Sequence, residues 1–339
     1  MEAKITKSDF SDCADSIQKC RAEAAKRLVG LSSIVDGIIT AFISGGHVLL
    51  EGVPGLAKTL AVKTFADLSG LEYKRIQFTP DLLPADVTGT LVYEQATGNF
   101  SVRKGPVFAN IVLADEINRA PAKVQSALLE AMAEKQVTIG DATHKLPHPF
   151  FVLATQNPIE QEGTYGLPEA ELDRFLLKLL VPYPTPEEEL EIVKTNGNAI
   201  DIPVKKVFPE SVLAKCHAAV EAITVDDAIL RYIVSLINVT RPAQDTEASR
   251  HAAFTTTQHH SDILHYISFG ASPRAGIALL RCAKVQALFA NRSFVLPEDV
   301  QAVAKPVLRH RLVLGYEAAA DGVSADDLIG KIVDVVPIP

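Results

Sequence analysis

A lysine and a threonine stand directly after a short turn rich in glycine and proline. The apolar run 48–50 predicts a buried strand, and Lys58 and Thr59 open an apolar-periodic segment that predicts a helix. A strand that enters a helix through such a loop points backbone N–H groups and the positive helix end at an anion. The lysine can then reach the terminal phosphates of a nucleotide, and the threonine hydroxyl can ligate Mg²⁺. The alternative is an ordinary strand-to-helix turn that carries a surface lysine.

The predicted phosphate loop has an alanine at a position where the usual pattern has glycine. Its residues are Gly52, Val53, Pro54, Gly55, Leu56, Ala57, Lys58, Thr59 and Leu60. A methyl group permits helical dihedral angles at the start of a helix, so we expect Ala57 to adopt them. Alanine then allows the loop fewer backbone conformations than glycine would, without abolishing phosphate binding.

Two carboxylates follow a second apolar run. Residues 111–114 are all apolar, and Asp115 and Glu116 come next, as in a central parallel strand whose carboxyl end carries function. Asp115 would hold Mg²⁺ through its water shell, and Glu116 would polarise the water that attacks the terminal phosphate. A strand that merely ends in two solvated acids is the alternative. The phosphate loop earlier in the chain favours the catalytic interpretation.

A third predicted strand, 150–154, also has a polar end, which includes Asn157 and Pro158. We expect this end to lie beside Asp115 and Glu116 in the sheet. Asn157 could then hydrogen-bond the attacking water or the phosphate. Spacing alone leaves open the alternative that Asn157 only forms a turn before proline.

The rest of the pattern predicts the elements that position these residues. In the first half it predicts a strand at 73–78 and helices at about 8–28, 33–44 and 123–134. It also predicts two hairpins, 90–93 with 100–102 and 136–139 with 145–146. Beyond about Thr185 the chain is nearly all helical, with helices at 210–222, 226–240, 273–291 and 297–309. This order indicates an α/β nucleotide-binding domain followed by a helical bundle.

Composition limits the classes of function. The chain has 339 residues, 47% of them apolar, which allows two or three globular domains. A net charge of −8 argues against nucleic acid as the main ligand. No signal-peptide pattern or membrane-length apolar run is found, so we expect a cytoplasmic protein without a membrane span.

The cysteines and histidines form no recognisable metal pattern. The four cysteines are far apart and predict reduced thiols rather than disulfides or a zinc site: Cys13, Cys20, Cys216 and Cys282. The histidines of one C-terminal stretch predict a solvated segment rather than a metal site: His251, His259, His260 and His265.

Six ordered motifs resemble those of the MoxR-type AAA+ ATPases, and the resemblance spans roughly Val29 to the C-terminus. They are GVPGLAKT (52–59), LADEINRAP (113–121), ATQNP (154–158), GTY (163–165), LDRF (172–175) and GASPRA (270–275). The alanine before the lysine is also similar to that family's own pattern. The resemblance implies an AAA+ core, a parallel sheet flanked by helices with hairpin inserts, and an all-α lid domain.

The resemblance also implies roles for individual residues. Residues 52–59 match Walker A, Asp115 and Glu116 match Walker B, and Asn157 matches sensor 1. Arg174 matches the arginine finger that reaches a neighbouring subunit, and Arg274 the sensor 2 position. The pair Val29 and Gly30 is similar to the segment that packs on adenine. Without the resemblance, Arg174 would be interpreted as part of a helix-end salt bridge and Arg274 as a surface residue.

The implied domains are an N-terminal bracing helix at 1–28, an AAA+ domain at 29–184 and a helical lid at 185–339. The implied function is Mg²⁺-dependent ATP hydrolysis by a homo-oligomeric, hexameric ring that remodels a protein client. That remodelling would serve maturation of a target or insertion of its metal or cofactor, together with a von Willebrand A-domain partner. The alternatives are a nucleic-acid motor or magnesium-chelatase-like subunit, and a nucleotide switch. Residues 241–261 form a longer, more polar link than is usual in the family, either a spacer or a partner contact.

Overall fold

The computed structural model describes residues 6–96, 98–159, 163–195, 198–242 and 265–339. Five of its strands form one parallel sheet: β1 (Val48–Glu51), β2 (Tyr73–Gln77), β5 (Ile111–Asp115), β8 (Phe151–Gln156) and β9 (Leu177–Leu180). Their order is β2-β5-β8-β1-β9. The carboxyl ends of β5 and β8 therefore lie side by side, as the sequence predicts.

Helices flank this sheet. They are α1 (Lys7–Ala25), α2 (Ser32–Ile43), α3 (Lys58–Ser69), α4 (Pro84–Thr88), α5 (Ala122–Glu134), α6 (Glu169–Leu172) and α7 (Pro186–Lys194). The three helices predicted in this half are confirmed, with α1 ending three residues earlier than expected. Phe42 of α2 packs on Phe65 of α3 and Phe151 of β8, with ring centroids 5.1 Å apart in both pairs. These aromatic contacts fix α2 and α3 on the sheet.

The first predicted hairpin is present as β3 (Gly89–Glu94) and β4 (Asn99–Lys104). Cross-strand pairing puts four exposed apolar side chains on one face, which we call the apolar ribbon: Leu91, Tyr93, Phe100 and Val102. At its base, Gly89 and Gly105 approach each other so closely that a Cβ on either would collide with a backbone carbonyl. Only glycine fits at these two positions, and we call the pair Gly89 and Gly105 the neck of the hairpin.

The second hairpin is confirmed with a corrected register. Its strands are β6 (Gln136–Ile139) and β7 (Ala142–Lys145), so pairing resumes directly after the two-residue turn Gly140-Asp141. We predicted the returning strand at 145–146, three residues too late. Gly140 has φ +60°, and this conformation allows the tighter turn. Leu146 lies beyond the strand.

The C-terminal elements are α8 (Glu210–Ala222), α9 (Asp227–Val239), β10 (Ile267–Phe269), α10 (Pro273–Phe289), α11 (Pro297–Leu308), β11 (Val313–Leu314), α12 (Tyr316–Ala320) and α13 (Ala325–Val335). The four predicted helices are confirmed, and with the sheet they confirm the predicted fold class. The structure adds α12, α13 and a small antiparallel sheet of β10 and β11. The chain divides into two compact units, residues 15–216 and residues 217–339 together with the N-terminal residues up to 14. The domain limits given above, 1–28, 29–184 and 185–339, stay predictions.

Within the described ranges, no helix is both long and apolar enough to cross a bilayer. The four cysteines are buried free thiols. Of the predicted polar link 241–261, only Arg241 and Pro242 belong to the described residues. His251, His259 and His260 lie outside them.

Candidate nucleotide site at the carboxyl edge of the sheet

The predicted phosphate loop connects β1 to α3. It turns through Gly55, at φ +86°, and through Ala57, at φ +53° and ψ 21°. Our expectation of helical dihedral angles for Ala57 is therefore wrong, because this residue is left-handed. Ala57 is the residue before α3, and its left-handed dihedral angles join the loop to the right-handed helix. Glycine, the usual residue here, adopts that conformation without a steric cost.

Lys58 is held inside the loop. Its ammonium group donates to the carbonyl of Gly52 and, at 3.4 Å each, to the carbonyls of Val53 and Gln156. These acceptors follow β1 and end β8, so the charge of Lys58 lies at the carboxyl edge of the sheet. Thr59 is exposed on the first turn of the twelve-residue helix α3. The loop thus combines a lysine, a hydroxyl and a helix N-terminus, which is the chemistry of an anion site.

Asp115 ends β5, the strand between β2 and β8, and is 7% exposed. Its Oδ1 accepts a hydrogen bond from the Thr155 hydroxyl at 2.6 Å. Its Oδ2 accepts from Nε and Nη2 of Arg75 at 3.0 and 2.7 Å. Thr155 is fully buried, and its oxygen also accepts from the N–H of Glu116 at 2.8 Å. One threonine on β8 therefore fixes the side chain of Asp115 and the backbone of Glu116.

Glu116 follows the strand in a left-handed conformation, with φ +57°. Its Oε2 accepts from the Gln77 side-chain amide at 2.8 Å and contacts Nε of Arg119 at 3.2 Å. Gln77 ends β2 and pairs in register with Asp115. The turn after β5 thus presents the carboxylate at the same edge as Lys58, held by groups from two neighbouring segments.

A buried glutamine holds the segment after Glu116 in place. Nε2 of Gln125, on α5, donates to the carbonyls of Ile117, Ala120 and Tyr165 at 3.1 Å each. Gln125 is fully buried. The two hydrogens of this NH₂ group are shared among the three carbonyls, and these contacts restrict the turn that follows Glu116.

Asn157 lies just past β8 and is 4% exposed. Its Oδ1 accepts from the N–H of Ile159 at 3.1 Å, which is the turn-forming contact that the sequence left as an alternative. Nδ2 of Asn118, in the segment after β5, approaches the Asn157 carbonyl at 3.5 Å. Asn157 therefore adjoins the Asp115–Glu116 tip, and its catalytic role stays a prediction.

The other predicted site residues are described by their local contacts. Arg174 is exposed between α6 and β9, and its Nη1 donates to the Leu129 carbonyl of α5 at 2.6 Å. Val29 and Gly30 follow α1, and the Glu188 carboxylate lies against Gly30. Arg274 belongs to the other compact unit, on the exposed first turn of α10, where its N–H donates to the Ser272 hydroxyl. The roles predicted for these residues stay predictions.

Four side chains that contact the carboxylates were not predicted: Arg75, Gln77, Arg119 and Thr155. Arg75 and Gln77 belong to a strand that the sequence identified without assigning a function to it. Gln77 was detectable in principle, because it is the last residue of β2, and Asp115, Glu116 and Asn157 also stand at strand ends. Thr155 lies in a quoted motif, but nothing in its spacing indicates two hydrogen bonds.

Comparison with known proteins agrees with this arrangement. The family model for the ATPase family associated with various cellular activities (AAA) matches residues 47–177, and the AAA lid domain model matches residues 261–332. The class defined by fold and site is thus an AAA-type ATPase with a lid.

Full-length relatives narrow the class. Chaperone MoxR1 of Mycobacterium tuberculosis is 44% identical over 96% of this chain and 82% of its own length. The uncharacterized protein YeaC of Bacillus subtilis is 43% identical over 92% of this chain and 91% of its own length. The crystal structure of a putative ATPase from Cytophaga hutchinsonii is 45% identical, has a TM-score of 0.86, and covers 98% of this chain and 97% of that one. The chain belongs to the MoxR-type AAA+ ATPase family.

Proposed function

We propose that this protein hydrolyses ATP to ADP and phosphate at the carboxyl edge of the sheet, with Mg²⁺ as cofactor. One observation carries the proposal: the ends of adjacent strands bring together the lysine of the phosphate loop, two carboxylates and Asn157. Phosphoryl transfer depends on positioning and on charge neutralisation, and this set of groups can supply both.

The donor set fits Mg²⁺. Thr59 and Asp115 carry the oxygen ligands that this ion prefers, and they would hold it directly or through its waters. When bound, Mg²⁺ neutralises charge on the phosphate oxygens. Thr155 already orients Oδ1 of Asp115 at 2.6 Å, so the carboxylate is preorganised.

The remaining residues take roles that follow from their positions. Lys58 binds the terminal phosphates with its ammonium, and the loop from Gly52 to Leu60 contributes backbone N–H groups. Glu116 accepts the proton of the attacking water. Both contacts described for its carboxylate involve Oε2, so we assign the proton to Oε1. Asn157 orients the water or the terminal phosphate. Val29 and Gly30 contact adenine, and Arg274 contributes charge from the lid.

Arg174 supports a ring of identical subunits. It is exposed, and Nη1 of its guanidinium donates to the Leu129 carbonyl at 2.6 Å. We propose that it completes the site of an adjacent subunit, in a hexameric ring. Arginine suits this role because its planar guanidinium binds phosphate oxygens and keeps its charge.

We propose that the ring is a cytoplasmic, chaperone-like remodeller of a protein client. Its work would be maturation of a target or insertion of a metal or cofactor, with a von Willebrand A-domain protein as partner. The chaperone name of the M. tuberculosis relative supports a client in general terms. The apolar ribbon supports a protein client over a nucleic acid, since four exposed apolar side chains lie on one of its faces. Added DNA should accordingly leave ATP turnover unchanged.

Mixing two inactive variants tests the shared site. Arg174→Ala should assemble and bind ATP yet lose about 10³–10⁵ in turnover, as when an arginine finger is removed. Glu116→Gln should be inactive through a defect in its own site. In mixed rings, some Arg174→Ala subunits with an intact Glu116 face an intact Arg174 of a Glu116→Gln neighbour. Turnover should therefore rise above that of either parent.

Two differently tagged variants and a tandem purification verify that the rings are mixed. Rings assembled from two differently tagged copies of Arg174→Ala serve as the control and should show no recovery of turnover. Verified mixed rings without recovery would show that Arg174 serves its own subunit or only the fold.

A further inference from the structure

Arg75 contacts both Asp115 and Gln77, the side chain that donates to Glu116. It lies on β2 two residues before Gln77, so both side chains are on the same face of the strand, while the buried Ile76 faces the core. Its guanidinium donates to Oδ2 of Asp115 at 3.0 and 2.7 Å, and Nη2 also donates to Oε1 of Gln77 at 2.5 Å.

The second contact determines how Gln77 faces Glu116. An amide presents an oxygen on one side and an NH₂ group on the other. Because Oε1 of Gln77 accepts from Arg75, Nε2 is left to donate to Oε2 of Glu116, at 2.8 Å. A reversed amide would set its NH₂ group against a guanidinium and its oxygen against a carboxylate. Arg75 therefore fixes the donor that holds Glu116.

We propose that Arg75 is a positioning residue that acts on Glu116 through Gln77 and couples it to Asp115. The proposal rests on the proposed ATPase function. The Thr155 hydrogen bond is made to Oδ1 of Asp115, whereas both Arg75 contacts are made to Oδ2. Movement of Oδ2 away from Arg75 frees the guanidinium, loosens the Gln77 amide and thereby releases Oε2 of Glu116. A change at the metal-binding carboxylate thus reaches the catalytic base through two side chains.

The first test compares turnover in single and double variants. Arg75→Ala should lower kcat about tenfold or more, the usual cost of losing a group that orients a functional side chain, with KM for ATP nearly unchanged. Gln77→Ala should do the same. If Arg75 acts through Gln77, the double variant should match Gln77→Ala rather than show the product of the two losses. A multiplicative loss would mean that Arg75 acts separately on Asp115 and would overturn the proposal.

A conservative variant separates charge from bridging. Lysine keeps a positive charge near Asp115, but its compact ammonium does not reproduce the planar fork that spans two acceptors. Arg75→Lys should therefore stay close to Arg75→Ala in kcat. Recovery to the wild-type value would show that charge alone suffices and would refute the positioning role. Lys74→Ala is the matched control, because Lys74 is an exposed cation on the same strand whose ion pair is with Glu72.

A readout without ATP tests the same contact. In protein labelled with ¹⁵N-glutamine, the side-chain amide signal of Gln77 is identified by its loss in Gln77→Ala. It should show slowed proton exchange in the wild type and in Lys74→Ala, and fast exchange in Arg75→Ala. Equal exchange in the wild type and Arg75→Ala would overturn the proposal. A wild-type protein without ATP turnover would instead refute the proposed function, and the amide signal would still decide the role of Arg75.

Discussion

The loop after β1 and the tip after β5 meet at one edge of the sheet but are held in different ways. Lys58 is anchored by backbone carbonyls in a partly exposed loop, whereas Asp115 and Glu116 are held by side chains from three neighbouring segments. Each region has one non-glycine residue in the left-handed conformation, Ala57 at φ +53° and Glu116 at φ +57°.

The left-handed conformation therefore has a different consequence at each of the two residues. At Ala57 the side chain is a methyl group with no proposed task, so glycine would serve as well. At Glu116 the side chain is the proposed base, and the conformation that strains the backbone is the one that presents the carboxylate. Strain is incidental in the first region and functional in the second.

Of the changes within these two regions, the largest effect should come from removing the carboxylate at the β5 tip. Glu116→Gln should lower kcat by about 10²–10⁴ through loss of a general base, while ATP still binds, because the phosphate loop is intact. Lys58→Ala is the contrasting variant and should lose tight ATP binding. Calorimetric titration with ATP and measurement of ADP release check both. Wild-type turnover in Glu116→Gln would place the base elsewhere.

Acid should weaken both regions together, because β8 lies between β1 and β5. His47, just before β1, accepts from the Val152 N–H of β8 at 3.0 Å. Burial lowers the pKa of His47 to about 4, from an ordinary value of 6.5. Below pH 6.5 His47 is protonated in the unfolded chain but stays neutral in the folded chain down to about pH 4. The free energy of unfolding therefore falls as pH falls. The free energy of unfolding should drop by ~3 kcal/mol between about pH 7 and pH 4 from this group.

Urea denaturation at a series of pH values measures that loss. In His47→Asn, the side-chain oxygen can still accept from Val152, but the group no longer titrates. The difference in stability between the two proteins should therefore depend on pH in this window. A pH-independent difference would contradict the assignment to His47.

Turnover should depend on the Thr155 hydroxyl, which holds both residues of the β5 tip. Thr155→Val keeps the shape but removes the donor to Asp115 and the acceptor for the Glu116 N–H, so kcat should fall about 10–100-fold. Thr64→Val is the matched control. Thr64 is a buried threonine of α3 whose hydroxyl has no hydrogen-bond partner among the described residues. Its replacement should leave turnover and thermal stability close to wild type, and equal losses in both variants would point to packing instead.

The smallest effect should come from relieving the backbone of the phosphate loop. Ala57→Gly removes a left-handed cost of about 1–2 kcal/mol and adds unfolded-state entropy worth about 0.4–1 kcal/mol. The free energy of unfolding should therefore rise by about 0.5–1 kcal/mol with ATP affinity preserved. Lys135→Gly, at φ +53° after α5, is a control outside the site and should gain a similar amount. A loss of stability in Ala57→Gly would mean that the methyl group has a packing role.

The sequence predicted the parts of the site that follow from strand ends. Asp115 and Glu116 come directly after one apolar run and Asn157 three residues after another, and parallel strands bring such ends together. Arg75 and Gln77 were missed because their importance depends on β2 being the neighbour of β5, and strand order is a tertiary property. The dihedral angles of Ala57 were missed for a local reason: the path of the loop imposes them, and the residue type disfavours them.

The neck formed by Gly89 and Gly105 has a consequence for how the ribbon can vary. Chain entry and exit are already in backbone contact there, so the entropy of closing this excursion is set by the neck and changes only slowly with its length. The hairpin beyond the neck can therefore be exchanged as a unit. Its sequence can be rewritten, or its tip lengthened, without displacing β5 or the carboxylates at its end. The proposed client contacts can therefore change while the proposed hydrolytic site stays the same.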